Sequence, residues 1–475
     1  MWRFFKDFMI YGFASVLGKI AAIFLMPIYT NILTKEEYGA MALITSVGGV
    51  IDLLSNLNIH SGIARDYYEE GVDRKKLIST GFLSILGISL SILTIMFFSR
   101  RFWGLTVLGL KEQFMPAFTV FLFLTPLTSL QSYFAILTRY KKKPVLFSVG
   151  TIVKLIVQLS ISIYGVVVLR AGIISVYIGM LASDILGVLY FSLINREYIS
   201  LSFDRNILKK ALLFSIPTLP AIMAGWIDSS FGQVLIGKNV SMADLGVYSI
   251  ALSFASVFTL ISGAFNNVWS PYLFENYKKS DFNSNIKKLF AIITFALIII
   301  SVLLSLFSHE IVLILSNEGY LDAGKYLTLL CVPMSFYLLF PFASSGVSIS
   351  RDTKYIGIAY VAGSAANVLL LFITIPFLGV VAVPLCLAAS RILAYTILYK
   401  VSEKKISYAL PNYMLLLLVL FIGICYGVVC MNLSLSLRII IALIIVSVFC
   451  FSLEKKYHVR GFVQQFVPNK KRISD

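Results

Sequence analysis

Six ionisable residues interrupt long apolar runs of this sequence: Lys19, Asp52, Lys154, Asp184, Asp228 and Arg391. A charge at the centre of a bilayer costs about 3 kcal/mol or more, so each is expected to face a partner or a wet cavity. Three cations and three anions could pair into structural salt bridges, or reach the interface along their own stems. Asp52, toward the cytoplasmic end of its run, fits that reading best. The sharper reading is a hydrated central cavity in which Lys19, Lys154 and Arg391 bind an anionic substrate. Arg grips phosphate through two donors, and Lys supplies a mobile point charge. Asp52, Asp184 and Asp228 are then the acids of that cavity, with Asp184 or Asp228 the candidates for coupling to H⁺ or Na⁺. Pro217 and Pro220, in Pro217-Thr218-Leu219-Pro220 beside Asp228, mark a hinge, because proline removes a helical hydrogen bond and bends the helix. Single prolines elsewhere (Pro27, Pro126, Pro333, Pro341, Pro384) say less.

Other chemistries find no support. His60, His309 and His458 are far apart, and no His/Cys/acid cluster has metal-ligand spacing. All five cysteines, Cys331, Cys386, Cys425, Cys430 and Cys450, lie within apolar runs and read as buried thiols. No glycine loop of the phosphate-cradling kind occurs, so ATP-driven work by this chain alone is not expected, nor is any cofactor. Asn266, Asn267 and Trp269, followed by Pro271-Tyr272, read as an interfacial cap with an aromatic anchor.

The elements that carry these residues follow from composition. Of 475 residues 59% are hydrophobic and 13% charged, and mean hydropathy is +0.89. Soluble domains carry about 25% charged residues, so the chain is expected to be an all-α integral membrane protein. Runs of about 20 apolar residues fall at 8–33, 39–59, 79–98, 116–138, 146–169, 173–194, 211–237, 244–266, 287–308, 325–347, 355–376, 380–400, 412–431 and 437–453, which is fourteen transmembrane helices. The alternating ten-residue segments of a β-barrel are absent. The first run is span-length and lacks a cleavage site, so it stays as a helix.

Net charge is +17, from 40 Lys and Arg against 23 Asp and Glu. Of the 40 cations, 29 fall in one alternating set of loops together with both termini, eight in the opposite set and three inside spans. That asymmetry puts both termini in the cytoplasm and explains the basic balance without nucleic acid.

Thr34-Lys35-Glu36-Glu37-Tyr38-Gly39 and Ser241-Met242-Ala243-Asp244-Leu245-Gly246 lie 207 residues apart, each between a first and a second span counted from 1 or from 7. Both carry Ser/Thr-x-x-acid, a helix N-cap signature. Gly18 falls on Gly225 at the same offset. Six intervening spans give the halves the same orientation, as in transporters built from parallel repeats. The expected organisation is a six-helix lobe over 1–200, a pseudo-symmetric six-helix lobe over 201–405, and two further helices with a basic tail over 406–475.

The stretch from Leu17-Gly18-Lys19 to Tyr38-Gly39 resembles the opening motif of the polysaccharide-biosynthesis (Wzx-type) flippases of the multidrug/oligosaccharidyl-lipid/polysaccharide exporter superfamily. Ile216-Pro217-Thr218-Leu219-Pro220, Ile236-Gly237-Lys238 and Leu245-Gly246-Val247-Tyr248-Ser249 are similar to its helix 7–8 pattern. Asp352-Thr353-Lys354-Tyr355, Asn367, Ile375-Pro376 and Gly379 continue the likeness over nearly the whole chain. Many relatives carry an Asp-Arg pair where this chain has Gly232-Gln233, so no role of that pair transfers and Asp228 is not its equivalent.

The resemblance implies a V-shaped, two-lobed, MATE-like carrier in the bacterial inner membrane. It would move undecaprenyl-diphosphate-linked oligosaccharide, for O-antigen or capsule, to the outer leaflet, alongside a polymerase and other glycan-assembly proteins. The lipid tail can remain in membrane lipid while pyrophosphate and sugars cross a cationic cleft. A multidrug/cation antiporter of the same fold would favour acids and aromatics over lining cations. A membrane polysaccharide polymerase would need a sizeable or acidic outer loop; the longest here, 99–115, has one acid, Glu112.

Overall fold

The computed structural model describes residues 17, 18, 21, 23–431 and 433–457, with side chains placed as far as residue 447. No strand occurs among the described residues. The helices are α1 (Ile23–Ile32), α2 (Lys35–Asn56), α3 (Ile59–Tyr67), α4 (Arg74–Phe98), α5 (Met115–Tyr140), α6 (Pro144–Ile163) and α7 (Ile174–Ile194). They continue with α8 (Arg205–Ser215), α9 (Leu219–Trp226), α10 (Gly232–Asn239), α11 (Met242–Ala255), α12 (Val257–Asn276), α13 (Phe282–Leu306) and α14 (Ser308–Leu315). Last come α15 (Ala323–Ala343), α16 (Ser345–Ile349), α17 (Lys354–Leu378), α18 (Ala382–Lys405), α19 (Tyr413–Cys430) and α20 (Leu435–Tyr457).

Among the described residues, eleven apolar helical stretches between Lys35 and Cys430 are long enough to cross a bilayer, and one of them, Lys354–Lys405, contains both α17 and α18. Two shorter apolar helices, Ile23–Ile32 and Leu435–Ser447, fall on the first and last expected spans. The protein is therefore a multi-pass helical membrane protein.

Local chemistry starts the helices where the sequence marks them. The Thr34 hydroxyl accepts from the Glu37 amide at 3.2 Å while Glu37 Oε2 accepts from the Thr34 amide at 2.9 Å, a reciprocal cap on α2. At α11 Ser241 Oγ accepts from the Asp244 amide at 3.0 Å and donates to Asp244 Oδ2 at 2.6 Å. Each cap is followed by a glycine at a helix crossing. A Cβ on Gly39 would strike the Met242 carbonyl, and one on Gly246 would strike the Lys35 carbonyl. Only glycine lets these two backbones approach so closely.

The chain divides into two compact units: Met1–Ser249 with Leu315–Gly319 and Leu371–Val380, and Ile250–Ile314 with Tyr320–Leu370 and Val381–Asp475. The division falls inside α11. In the first unit α5 is the hub, packed on α4, α7 and α2, with α6 laid against α7. In the second, α15 is the hub, packed on α12, α13, α18 and α19. The hubs share a feature at the 207-residue offset, since Pro126 lies inside α5 and Pro333 inside α15. Gly172 (φ 66°) and Gly379 (φ 55°), just ahead of α7 and α18, are a further pair at that offset, each in the left-handed region.

Arg438 ties the base of α20 into the second unit. Its guanidinium donates to both carboxylate oxygens of Glu310, at 2.9 and 2.6 Å, and to the Leu306 carbonyl at 2.8 Å, capping the end of α13.

Three loop carboxylates lie in segments expected to face the cytoplasm. Hydrogen bonding from Lys141, Lys76 and Lys405 holds Glu197, Asp204 and Asp352, respectively, below the ordinary carboxylate range. The backbone amides of Asn206 and Ile207 add to the effect at Asp204.

Candidate functional site

In the first unit, α5, α6 and α7 converge on a buried ion pair. Lys154 of α6 places Nζ 2.7 Å from Asp184 Oδ1 of α7, with the two side chains 16% and 13% exposed. Thr128 of α5 donates to the other Asp184 oxygen at 2.5 Å. Its neighbour Ser129 donates to Asp52 Oδ1 of α2 at 2.8 Å. Two consecutive hydroxyls on one helix thus serve two acids from two other helices, buried Asp184 and half-buried Asp52, which satisfies charges that would be costly bare. Gly187, a turn beyond Asp184, makes the room. A Cβ there would lie 2.6 Å from Lys154 Cδ and 2.7 Å from Gln131 Cγ, so the lysine stem runs across bare backbone to its partner.

The expected hinge lies in the same unit. The apolar run from Arg205 to Asn239 is broken twice. The first break is a 3₁₀ turn, Ile216–Thr218, that contains Pro217 and leads into α9 with Pro220 in its first turn. The second is a π turn, Ile227–Phe231, that carries the buried Asp228. Both prolines sit at the start of a new helical segment, where a missing N–H costs least. Each break has a hydrogen bond to the α2–α3 arm. The Trp226 indole donates to the Ser46 carbonyl at 2.7 Å, and Asn58 donates to the Thr218 hydroxyl at 3.0 Å. Asn58 and Leu57, at φ 54° and 45°, form the left-handed joint between α2 and α3. Non-glycine residues adopt that conformation rarely, and two in succession mark a strained joint.

Arg391 belongs to the second unit. It lies on α18, 8% exposed, with its guanidinium 5.2 Å from the Tyr337 ring of α15 and 5.8 Å from the Tyr360 ring of α17. Cation–π contact with both rings favours the charge there. Arg391 is also the residue 207 positions beyond Asp184. The two units therefore carry equivalent three-helix sites, α5/α6/α7 and α15/α17/α18, with opposite charge on the third helix.

Of the residues singled out from sequence, the structure brings Asp52, Lys154 and Asp184 into one hydroxyl-linked group, and places Asp228 in a separate turn of the same unit. Arg391 has its own aromatic partners in the other unit, and Lys19 lies outside the described residues. Trp269 is not an interfacial anchor. It is 4% exposed and packed on Phe265 and Phe342, at 5.4 and 4.3 Å between ring centres. The supporting residues Thr128, Ser129, Gly187, Tyr337 and Tyr360 escaped sequence reasoning. The signal available was the offset itself, which maps Pro126, Gly172 and Asp184 onto Pro333, Gly379 and Arg391.

The described residues form a multi-pass helical membrane protein that holds charged groups among its helices. The chain belongs to the polysaccharide biosynthesis protein family, which it matches over residues 28–325. Comparison with curated protein sequences gives no match. Among solved structures it is similar to the lipid II flippase MurJ in its inward closed conformation, with TM-score 0.74 and 16% identity over 95% of this chain and 99% of that one. An inward-facing multidrug resistance MATE transporter of the MOP superfamily aligns with TM-score 0.61 and 17% identity over 84% of this chain and 94% of its own. A MOP superfamily transporter from Pyrococcus furiosus, described as having a binding pocket of reversed polarity, gives TM-score 0.55 and 16% identity over 85% and 95%. The fold is the one these solved transporters and flippases share.

Proposed function

We propose that the protein is a flippase of the bacterial inner membrane that carries undecaprenyl-diphosphate-linked oligosaccharide from the cytoplasmic to the outer leaflet by alternating access. The observation that carries this reading is a conjunction: membership of a polysaccharide biosynthesis family, and a flippase fold over 95% of the chain. Both termini face the cytoplasm in this reading, as the loop charges require. The chain works with the polymerase and other assembly proteins of the same glycan, and needs no cofactor.

Arrangement within the units assigns roles. Lys154 is neutralised by Asp184 and Arg391 is held against two tyrosine rings, so substrate pyrophosphate falls chiefly to Lys19. For coupling to H⁺ or Na⁺, Asp184 is the proposed acid. Its oxygens are held by Lys154 and Thr128, so an arriving proton or Na⁺ releases the lysine ammonium. Pro217 and Pro220 supply the flexible point.

The test is deletion of the gene, followed by complementation with the whole chain. Loss of surface glycan, accumulation of lipid-linked oligosaccharide on the cytoplasmic leaflet, and restoration by the wild type are expected. Unchanged glycan with altered tolerance to cationic drugs would replace this reading with multidrug efflux.

A further inference from the structure

The second unit holds a cavity of about 220 Å³ between α12, α15, α16 and α17. Asn266 and Ser270 of α12 line one side, and Tyr337, Phe340 and Ser344 another, with Tyr360 of α17 opposite. Nothing in the lining carries a charge at neutral pH. The aromatic wall is braced: Phe340 and Tyr360 stack at 4.5 Å, and buried Trp269 closes the base. The Arg391 guanidinium lies 5.2 and 5.8 Å from the centres of the Tyr337 and Tyr360 rings. On the other wall the Asn266 amide is oriented by donating to Ser262 Oγ at 3.3 Å.

Three ligand chemistries compete for such a lining. A lipid tail has no use for Asn266 or Ser270, both exposed on a span where lone polar groups are costly. A pyrophosphate needs cations in the wall, and there are none. A pyranose ring has an apolar C–H face for an aromatic ring and hydroxyls at its edge for amide and serine partners. The volume lies below the ~300–1,000 Å³ of sites that enclose drug-sized ligands, which points to a single ring. In the first unit the equivalent three helices carry the Lys154–Asp184 ion pair. In the second, Tyr360 stands one position before the residue equivalent to that lysine, and the space is open. The polar motif Asn266-x-x-Trp269-Ser270 becomes one wall of a cavity.

We propose that this cavity is a subsite for one neutral sugar ring of the carried glycan. The assignment rests on the flippase reading for the source of the sugar, but its test does not pass through transport. The full chain in lipid nanodiscs is titrated with methyl glucoside and with the methyl glycoside of N-acetylglucosamine, and saturation transfer to the ring protons is read by NMR. At least one glycoside is expected to show transfer at millimolar concentration. Tyr337→Ala and Asn266→Ala should each weaken binding at least tenfold, while Tyr337→Phe, which keeps the ring, should stay within about threefold. Each variant is compared at equal thermal stability, and Ser270→Ala serves as the mild substitution if an alanine variant does not fold. No transfer to either glycoside, transfer unchanged in all three truncated variants, or displacement of the sugar by sodium pyrophosphate overturns the proposal. Surface glycan in the deletion strain is scored separately, so a failed subsite and a failed flippase reading give different results.

Discussion

Lys154 and Asp184 show how a buried charge is made tolerable: each is the other's partner, and Thr128 takes the remaining oxygen. Removing one member leaves the other uncompensated, which costs about 3–5 kcal/mol in comparable buried pairs. Lys154→Ala and Asp184→Ala should therefore each lower the unfolding midpoint sharply in detergent. The double substitution Lys154→Met with Asp184→Leu should recover most of that stability. Losses that simply add would mean the pair is not coupled. If Asp184 is the coupling acid, the recovered double variant stays folded yet fails to export glycan. Sequence alone listed these charges but did not join them, since the partners lie 30 residues apart on different helices. Which faces of α6 and α7 meet is decided by packing, and its only trace in sequence is the small residue Gly187, which gives the lysine stem its path. Arg391 was harder still. Its partners are aromatic rings, and among 25 tyrosines nothing marks Tyr337 and Tyr360.

At the scale of the element, the run from α8 to α10 is the part that can change shape at least cost. Two irregular turns already replace regular hydrogen bonds, and each has one tether to the α2–α3 arm. Replacing Pro217 and Pro220 together by alanine restores two backbone donors and favours continuous helix. Glycan export is expected to slow severalfold while thermal stability holds or rises slightly. Equal export rates, measured at matched protein level, would show that the bend is only architectural. The prolines made this interruption legible in advance. The π turn at Ile227–Phe231 was not, because no residue type specifies it, and the α2–α3 joint leaves only Asn58 as a hint.

For the whole molecule, the class was the most readable property, because apolar length is summed over hundreds of residues and tolerates local error, and it marks a multi-pass helical membrane protein. The loops expected to face the cytoplasm also carry a pH response. Glu197, Asp204 and Asp352 are each held below their ordinary pKa by a lysine, so their contribution to stability is present at neutral pH. It is lost only as pH falls through those depressed values, below the ~4 of free carboxylates. Hydrogen exchange in these loops should be unchanged from pH 7 to pH 5 and rise under stronger acid. A rise centred near pH 6 would assign the response to histidine instead. In sequence the repeat was visible in its capping segment and in the Gly18/Gly225 pair. Its continuation through the hub prolines, the left-handed glycines and the Asp184/Arg391 positions is too sparse to notice without knowing which helices carry them.

The crossing at Gly39 and Gly246 carries one more consequence. Gly39 meets the carbonyl of Met242, and Gly246, the counterpart of Gly39, meets that of Lys35, the counterpart of Met242, so the contact is repeated with the two sides exchanged. Such reciprocity is the signature of an isologous interface, the kind that two identical subunits form about a two-fold axis. The joint has the form of a homodimer seam enclosed within one polypeptide, which fits an origin by duplication and fusion of a half-length ancestor. Its two sides should be equally intolerant: Gly39→Ala and Gly246→Ala are expected to lower the unfolding midpoint by similar amounts.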